Sequence, residues 1–147
     1  MRNILIHTVL ILCFTSVFAQ KNENDFTIRL RQQNEIEYEA SLIEASKQTM
    51  LGNYNDAMSL YMKCLSLYPQ SSAAMYEMAR IFYINKDINA SVELMTKVVS
   101  LSPKNVWYNL FYFQLLKQKK QFDKAETVMK NIIKLAPDND LNYYELA

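Results

Sequence analysis

Leu51–Pro69 reads LGNYNDAMSLYMKCLSLYP, and its punctuation returns twice further down the chain. Pro69, Pro103 and Pro137 stand 34 residues apart. Each is preceded by a leucine two residues back (Leu67, Leu101, Leu135), a small residue twelve back (Ala57, Ser91, Ala125) and an aromatic or branched residue fifteen back (Tyr54, Ile88, Phe122). The chain has one glycine and three prolines, and all three prolines mark repeat ends, so little is left to punctuate strands. A 34-residue period of this kind predicts a stack of helical hairpins.

The second helix of each hairpin should then show one apolar face at spacings of three and four. Ala57, Leu60, Tyr61, Cys64 and Leu65 do so in the first unit. Ser91, Leu94, Met95, Val98 and Val99 follow in the second, and Ala125, Val128, Met129, Ile132 and Ile133 in the third. Asn53, Asp87 and Gln121 fall in the turn before these helices, where Asn and Asp can accept from the first free amides. Each proline ends a unit, because it lacks an amide hydrogen and drives the residue before it out of the α region.

The first helices are less uniform. Met75, Met78, Ala79 and Phe82 form an apolar face in the second unit, and Tyr112, Phe113 and Leu116 in the third. The matching residues of the first unit are Ser41, Glu44, Ala45 and Gln48, whose polarity suits a capping helix with no neighbour before it.

At 147 residues, half of them apolar, the chain can bury one modest core. Sixteen basic residues against fifteen acidic give no electrostatic case for nucleic acid or an anionic membrane. The start, MRNILIHTVLILCFTSVFAQ, has Arg2, an apolar run from Ile4 to Phe18, and Val17-Phe18-Ala19 before Gln20. This pattern predicts a signal peptide, 1–19, cleaved after Ala19. The run is shorter than the ~20 apolar residues of a membrane span. Leu12 before Cys13 does not match a lipid-attachment site. Cleavage removes His7, the only histidine, and Cys13, which leaves Cys64 without an intrachain disulfide partner. Residues 20–37, polar with Phe26, Ile28, Leu30 and Ile36 at no sustained spacing, read as a solvated linker running into the first helix.

On Leu51-Gly52-Asn53-Tyr54-Asn55-Asp56-Ala57, Tyr61, Leu65, Leu67 and Pro69 the chain resembles the tetratricopeptide repeat family. Ala79, Phe82, Leu101 and Pro103 carry the resemblance in the second unit, and Phe122, Ala125 and Pro137 in the third. It implies an all-α, right-handed superhelical solenoid of antiparallel helix pairs, with units at 38–71, 72–105 and 106–139. Asp140–Ala147 parallels Ser72–Ala79 and reads as the first helix of a truncated fourth unit, as in a fragment of a longer array. Lys86 and Lys120 stand where the family has glycine, and Ser91 where it has alanine, which leaves the turn geometry open.

The same resemblance places the first helices along a concave groove. Leu42, Ser46, Thr49 and Met50 would line it from the first unit, Tyr76, Arg80, Tyr83 and Ile84 from the second, and Trp107, Leu110, Gln114 and Lys117 from the third. Tyrosine, tryptophan and arginine often dominate binding surfaces. Trp107 has a competing reading, as filler between stacked hairpins. Family members that clamp a C-terminal carboxylate use lysine and asparagine where this chain has Leu42 and Ser46.

Chemistry is sparse. A mature chain without histidine lacks the commonest general base, and Cys64 sits on a core face. Gly52 stands alone and makes no phosphate loop. Asp138, Asp140 and Asn142 have the spacing that opens a calcium loop, but Tyr143 occupies the glycine turn, so they read as a helix cap. Lys117-Gln-Lys-Lys120 reads as a solvated helix end.

The expectation is a non-enzymatic scaffold, without cofactor or metal, that binds a protein or peptide segment. The resemblance extends to exported envelope proteins of Gram-negative bacteria, which implies a periplasmic or envelope location. The competing expectations are a signal-proximal module of a larger sensor or enzyme, and an architectural array that self-associates through its last helix.

Overall fold

The computed structural model describes the backbone of residues 2–137 and the side chains of residues 25–137. Among the described residues all regular structure is helical: α1 (Arg2–Met50), α2 (Tyr54–Leu67), α3 (Ser72–Ile84), α4 (Ile88–Leu101), α5 (Val106–Gln118) and α6 (Phe122–Leu135). The chain forms two compact units, Met1–Glu39 and Ala40–Ala147. The calcium-like Asp138, Asp140 and Asn142 and the fourth-unit segment lie outside the described residues, and for the candidate signal peptide only the backbone is described.

In the first unit the stretch 25–37 is helical, where the sequence reads as a linker. Every side chain from Asp25 to Ile36 is exposed. A helix that buries no face needs no apolar period, which is why the period is missing there.

In the second unit the 34-residue period becomes geometry. Each second helix ends two residues before its proline. The intervening Tyr68, Ser102 and Ala136 take ψ of 87°, 62° and 70°, outside the α region, as a following proline requires. Their amides still close the last turn onto Cys64, Val98 and Ile132.

The turn inside each hairpin also repeats atom for atom. Asn53 N–H bonds Gln48 O, Asp87 bonds Phe82 O and Gln121 bonds Leu116 O, each at 2.9 Å. One residue earlier, Gly52, Lys86 and Lys120 donate to Thr49, Tyr83 and Lys117, at 2.9–3.1 Å. This is a Schellman cap, which needs a left-handed residue. Gly52 has φ 81°, and Lys86 and Lys120 adopt the same conformation at 65° and 57°. The two lysines thus leave the turn unchanged and accept its strain.

Packing follows the predicted register. Ala57, Tyr61 and Cys64 are buried with Leu60 and Leu65 beside them, and the same pattern holds at Ser91, Met95 and Val98 and at Ala125, Met129 and Ile132. Ser91 is fully buried, and its hydroxyl donates to Ala79 O at 2.8 Å, locking α4 onto α3. One apolar cluster joins the second and third repeats through Ala79, Met95, Leu115, Leu116 and Met129. In the first repeat Glu44 accepts from Gln48 (2.7 Å) and Lys47 (3.2 Å), a polar edge of the kind a capping helix presents.

Candidate binding face on the first helices

α4 packs against both α3 and α5, and α6 against α5, so first and second helices form separate layers. Aromatic rings join the first-helix layer directly. Tyr76 of α3 lies 4.6 Å from Tyr108 of α5, centroid to centroid. Phe111 meets Tyr76 and Tyr83 edge-on, each at 5.7 Å. Such pairs add about 0.5–1.5 kcal/mol each beyond the area they bury. They fix the spacing of the two helices. Burial among these rings pushes the Tyr76 hydroxyl above its ordinary pKa. Arg80 lies over the Tyr76 ring at 5.9 Å and forms an ion pair with Glu77 at 2.9 Å.

The twelve residues assigned to the groove divide into two groups. Met50, Arg80, Tyr83, Ile84, Trp107, Gln114 and Lys117 are exposed. Leu42, Ser46, Thr49, Tyr76 and Leu110 are half-buried. Ser46 and Thr49 bond the carbonyls of Leu42 and Ala45, both at 2.9 Å. Their hydroxyls also meet that of Tyr61 in α2, at 3.5 and 3.3 Å, so they serve the hairpin as well as its surface. Leu110 packs on the core cluster. Trp107 is 75% exposed, which decides against the reading of it as filler between hairpins.

Three residues of this layer escaped the sequence reading. Ile43 is 70% exposed, and the repeat frame matches it to Glu77 and Phe111. Phe111 and Tyr108 carry the inter-helix ring contacts, yet the residues matching Tyr108 are Ala40 and Ala74. The signal available was the aromatic run Trp107–Phe113 itself, whose rings are too many for one buried stripe.

Beside the face, Phe113, Phe122, Ala125 and Met129 line an open cleft of about 240 Å³ together with Lys117, Asp123 and Glu126. Among the described residues no group of His, Cys, Asp or Glu is placed to hold a metal. The one described cysteine, Cys64, is buried, and burial raises its thiol pKa.

Successive helical hairpins with a repeated Schellman turn and aromatic contacts between first helices define a helical-hairpin repeat array. Family models described as tetratricopeptide repeat match residues 51–71 and 82–147. The chain belongs to the tetratricopeptide repeat family. No curated protein matches it. Among solved structures it is similar to MamA from Desulfovibrio magneticus RS-1, at 19% identity and TM-score 0.64, over 74% of this chain and 62% of that one. It is similar to a mutant O-GlcNAc transferase of Thermobaculum terrenum, at 18% and 0.66, over 77% of this chain and 22% of the other. The first repeat domain of Spaghetti (RPAP3), bound to the HSP90 peptide SRMEEVD, matches at 15% and 0.65, over 75% of this chain and 89% of that one. At these identities the likeness is one of fold. The chain spans about a fifth of the transferase and less than two thirds of MamA.

Proposed function

We propose that this chain is a non-catalytic scaffold of the cell envelope that holds a protein segment along its first helices. The carrying observation is where apolar surface remains open. Of the large apolar side chains exposed between residues 40 and 137, Ile43 (70%), Met50 (87%), Tyr83 (40%), Ile84 (41%) and Trp107 (75%) stand on first helices, against Leu51 in a turn and Met62, Leu101 and Phe122 on second helices. Large apolar side chains gathered on one face mark an interaction site more strongly than the same residues scattered singly. A peptide bound to the RPAP3 domain shows a protein of this fold engaging such a ligand. The Val17-Phe18-Ala19 pattern supports export.

A photo-crosslinking residue in place of Gln114, on the face, is expected to trap a protein partner in source cells. The same residue in place of Met62, exposed on α2, is expected not to. Equal capture from both positions would defeat the groove reading. Mature protein starting at Gln20 is expected in the envelope fraction, and a start at Met1 would defeat export.

A further inference from the structure

The third repeat carries a polar pair that the other two lack. Asn109 is 4% exposed, at a position that is Ser41 in the first repeat and Met75 in the second. Asn131 of α6 stands where the earlier repeats have Lys63 and Lys97. The Asn109 side-chain nitrogen donates to Pro103 O at 3.0 Å and to Asn105 O at 2.8 Å. Carbonyls only accept, so the nitrogen faces them and Asn109 Oδ1 is left to accept from Asn131 Nδ2, at 3.3 Å. Asn131 Nδ2 also reaches Pro103 O, at 3.4 Å. Two amides thus tie together the turn after α4, the start of α5 and α6. Asn105, whose carbonyl Asn109 holds, is also the cap of α5, accepting from the Tyr108 amide at 3.1 Å.

A buried amide in place of an apolar side chain gains little stability, because its bonds to protein replace bonds to water. Its directional bonds do fix one geometry. What they fix is the first turn of α5, where Trp107 and Tyr108 stand. Tyr108 meets Tyr76 across the first helices at 4.6 Å. Trp107 is 75% exposed and stands where the second repeat has Ala73, so its place on the candidate face is set by its backbone more than by packing. Resting on the groove reading above, we propose that Asn109 and Asn131 are positioning residues for Trp107. Asn109 is buried and Asn131 stands on a second helix, so neither touches the held segment. They hold the turn from which Trp107 reaches it. An aromatic anchor ordered before binding loses less freedom on binding, which raises affinity without any new contact.

Trp107 is the chain's one tryptophan, so its fluorescence reports on this turn. The test compares wild type with Asn109→Leu, with Asn131→Asp, which keeps the shape but loses the donor, and with Asn131→Gln, which retains it. The probe is a peptide selected on the full chain, from a random display library, for shifting the Trp107 emission. In Asn109→Leu and Asn131→Asp the fast component of the Trp107 anisotropy decay should grow. The peptide should bind them roughly fivefold more weakly, with helix content and melting point close to wild type. Asn131→Gln should restore both readouts. Leu116→Ala, a core truncation, should lower the melting point and leave the Trp107 decay as it is. If Asn109→Leu does not fold, Asn131→Asp decides, since it breaks only the two longer bonds. Unchanged anisotropy in Asn131→Asp would overturn the proposal and leave the groove reading standing. So would a loosened Trp107 that binds the peptide as tightly as before, or a Leu116→Ala chain whose Trp107 loosens equally. If no selected peptide shifts the Trp107 emission, the groove reading itself fails and the proposal falls with it.

Discussion

A lysine held at φ near +60° has its Cβ crowded against the following carbonyl, at a cost of about 1–2 kcal/mol that glycine does not bear. Lys86 and Lys120 are such residues, and both stand in turns whose hydrogen bonds match those around Gly52. Replacing either by glycine is expected to raise stability by roughly 0.5–1 kcal/mol, after allowing for glycine's larger loss of freedom on folding. Gly52→Ala should cost about 1 kcal/mol, and since a Cβ there meets nothing within 4 Å, the whole cost is conformational. Urea denaturation of the three variants checks this, and a loss on Lys→Gly would show that the lysine side chains hold the turns. Cys64 gives a second prediction at this scale. Burial raises its folded pKa above the unfolded value, so the folded state retains the proton longer. The stabilisation is fully present below the ordinary thiol range and is lost as pH rises through the raised value. Stability should therefore fall with alkaline pH in wild type and fall less in Cys64→Ala, and a dye that labels thiols should react with Cys64 only as fast as the chain unfolds.

At the scale of the helix, the starts differ in a way that residue types alone only half reveal. Asp87 caps α4 by accepting from Ala90 N–H at 3.0 Å. Ser71 and Asn105 do the same for α3 and α5, at 3.2 and 3.1 Å. Asn53 holds a capping position yet turns its amide to Gln48 Oε1 at 2.7 Å, and Gln121 makes no side-chain cap. Asp87→Ala should cost about 1 kcal/mol, Asn53→Ala distinctly less, and Gln121→Asp should gain about 0.5–1 kcal/mol by supplying the missing acceptor and a charge at the helix N-terminus. Equal losses for Asp87→Ala and Asn53→Ala in thermal unfolding would contradict this account. The second helices were legible because each meets the same neighbours, so one register recurs at Ala57, Ser91 and Ala125. Ile81 and Leu115 were not, although both are buried. Their counterpart in the first repeat is Lys47, on the polar capping edge, and comparison between repeats hides a position that only inner repeats bury.

For the whole array, stability is a sum of repeat and nearest-neighbour terms, and those terms are unequal here. The candidate binding face was legible only in outline for the same reason: Ile43, Glu77 and Phe111 share a position but not a chemistry, since each first helix has a different neighbour. The apolar cluster spans the second and third repeats, with Leu115, Leu116, Met95 and Ile132 fully buried. The first repeat offers Ala45, Ala57, Tyr61 and Cys64, and has the small Ser41 where Met75 and Asn109 stand in the later repeats. Less apolar area there means a smaller opening free energy, at about 25 cal/mol per Å². Amides of α2 should exchange through an opening of lower free energy than those of α4, α5 and α6. Leu116→Ala, which empties a fully buried site, should cost about 2–5 kcal/mol and accelerate exchange across α4–α6. Tyr61→Phe removes the hydroxyl that meets Ser46 and Thr49, and should loosen only α2 and the end of α1. Hydrogen exchange read by mass spectrometry separates these cases. If α2 proves as protected as α4, or if Leu116→Ala speeds exchange evenly through every helix, the array unfolds as a single cooperative block and the gradient of stability from first repeat to third does not exist.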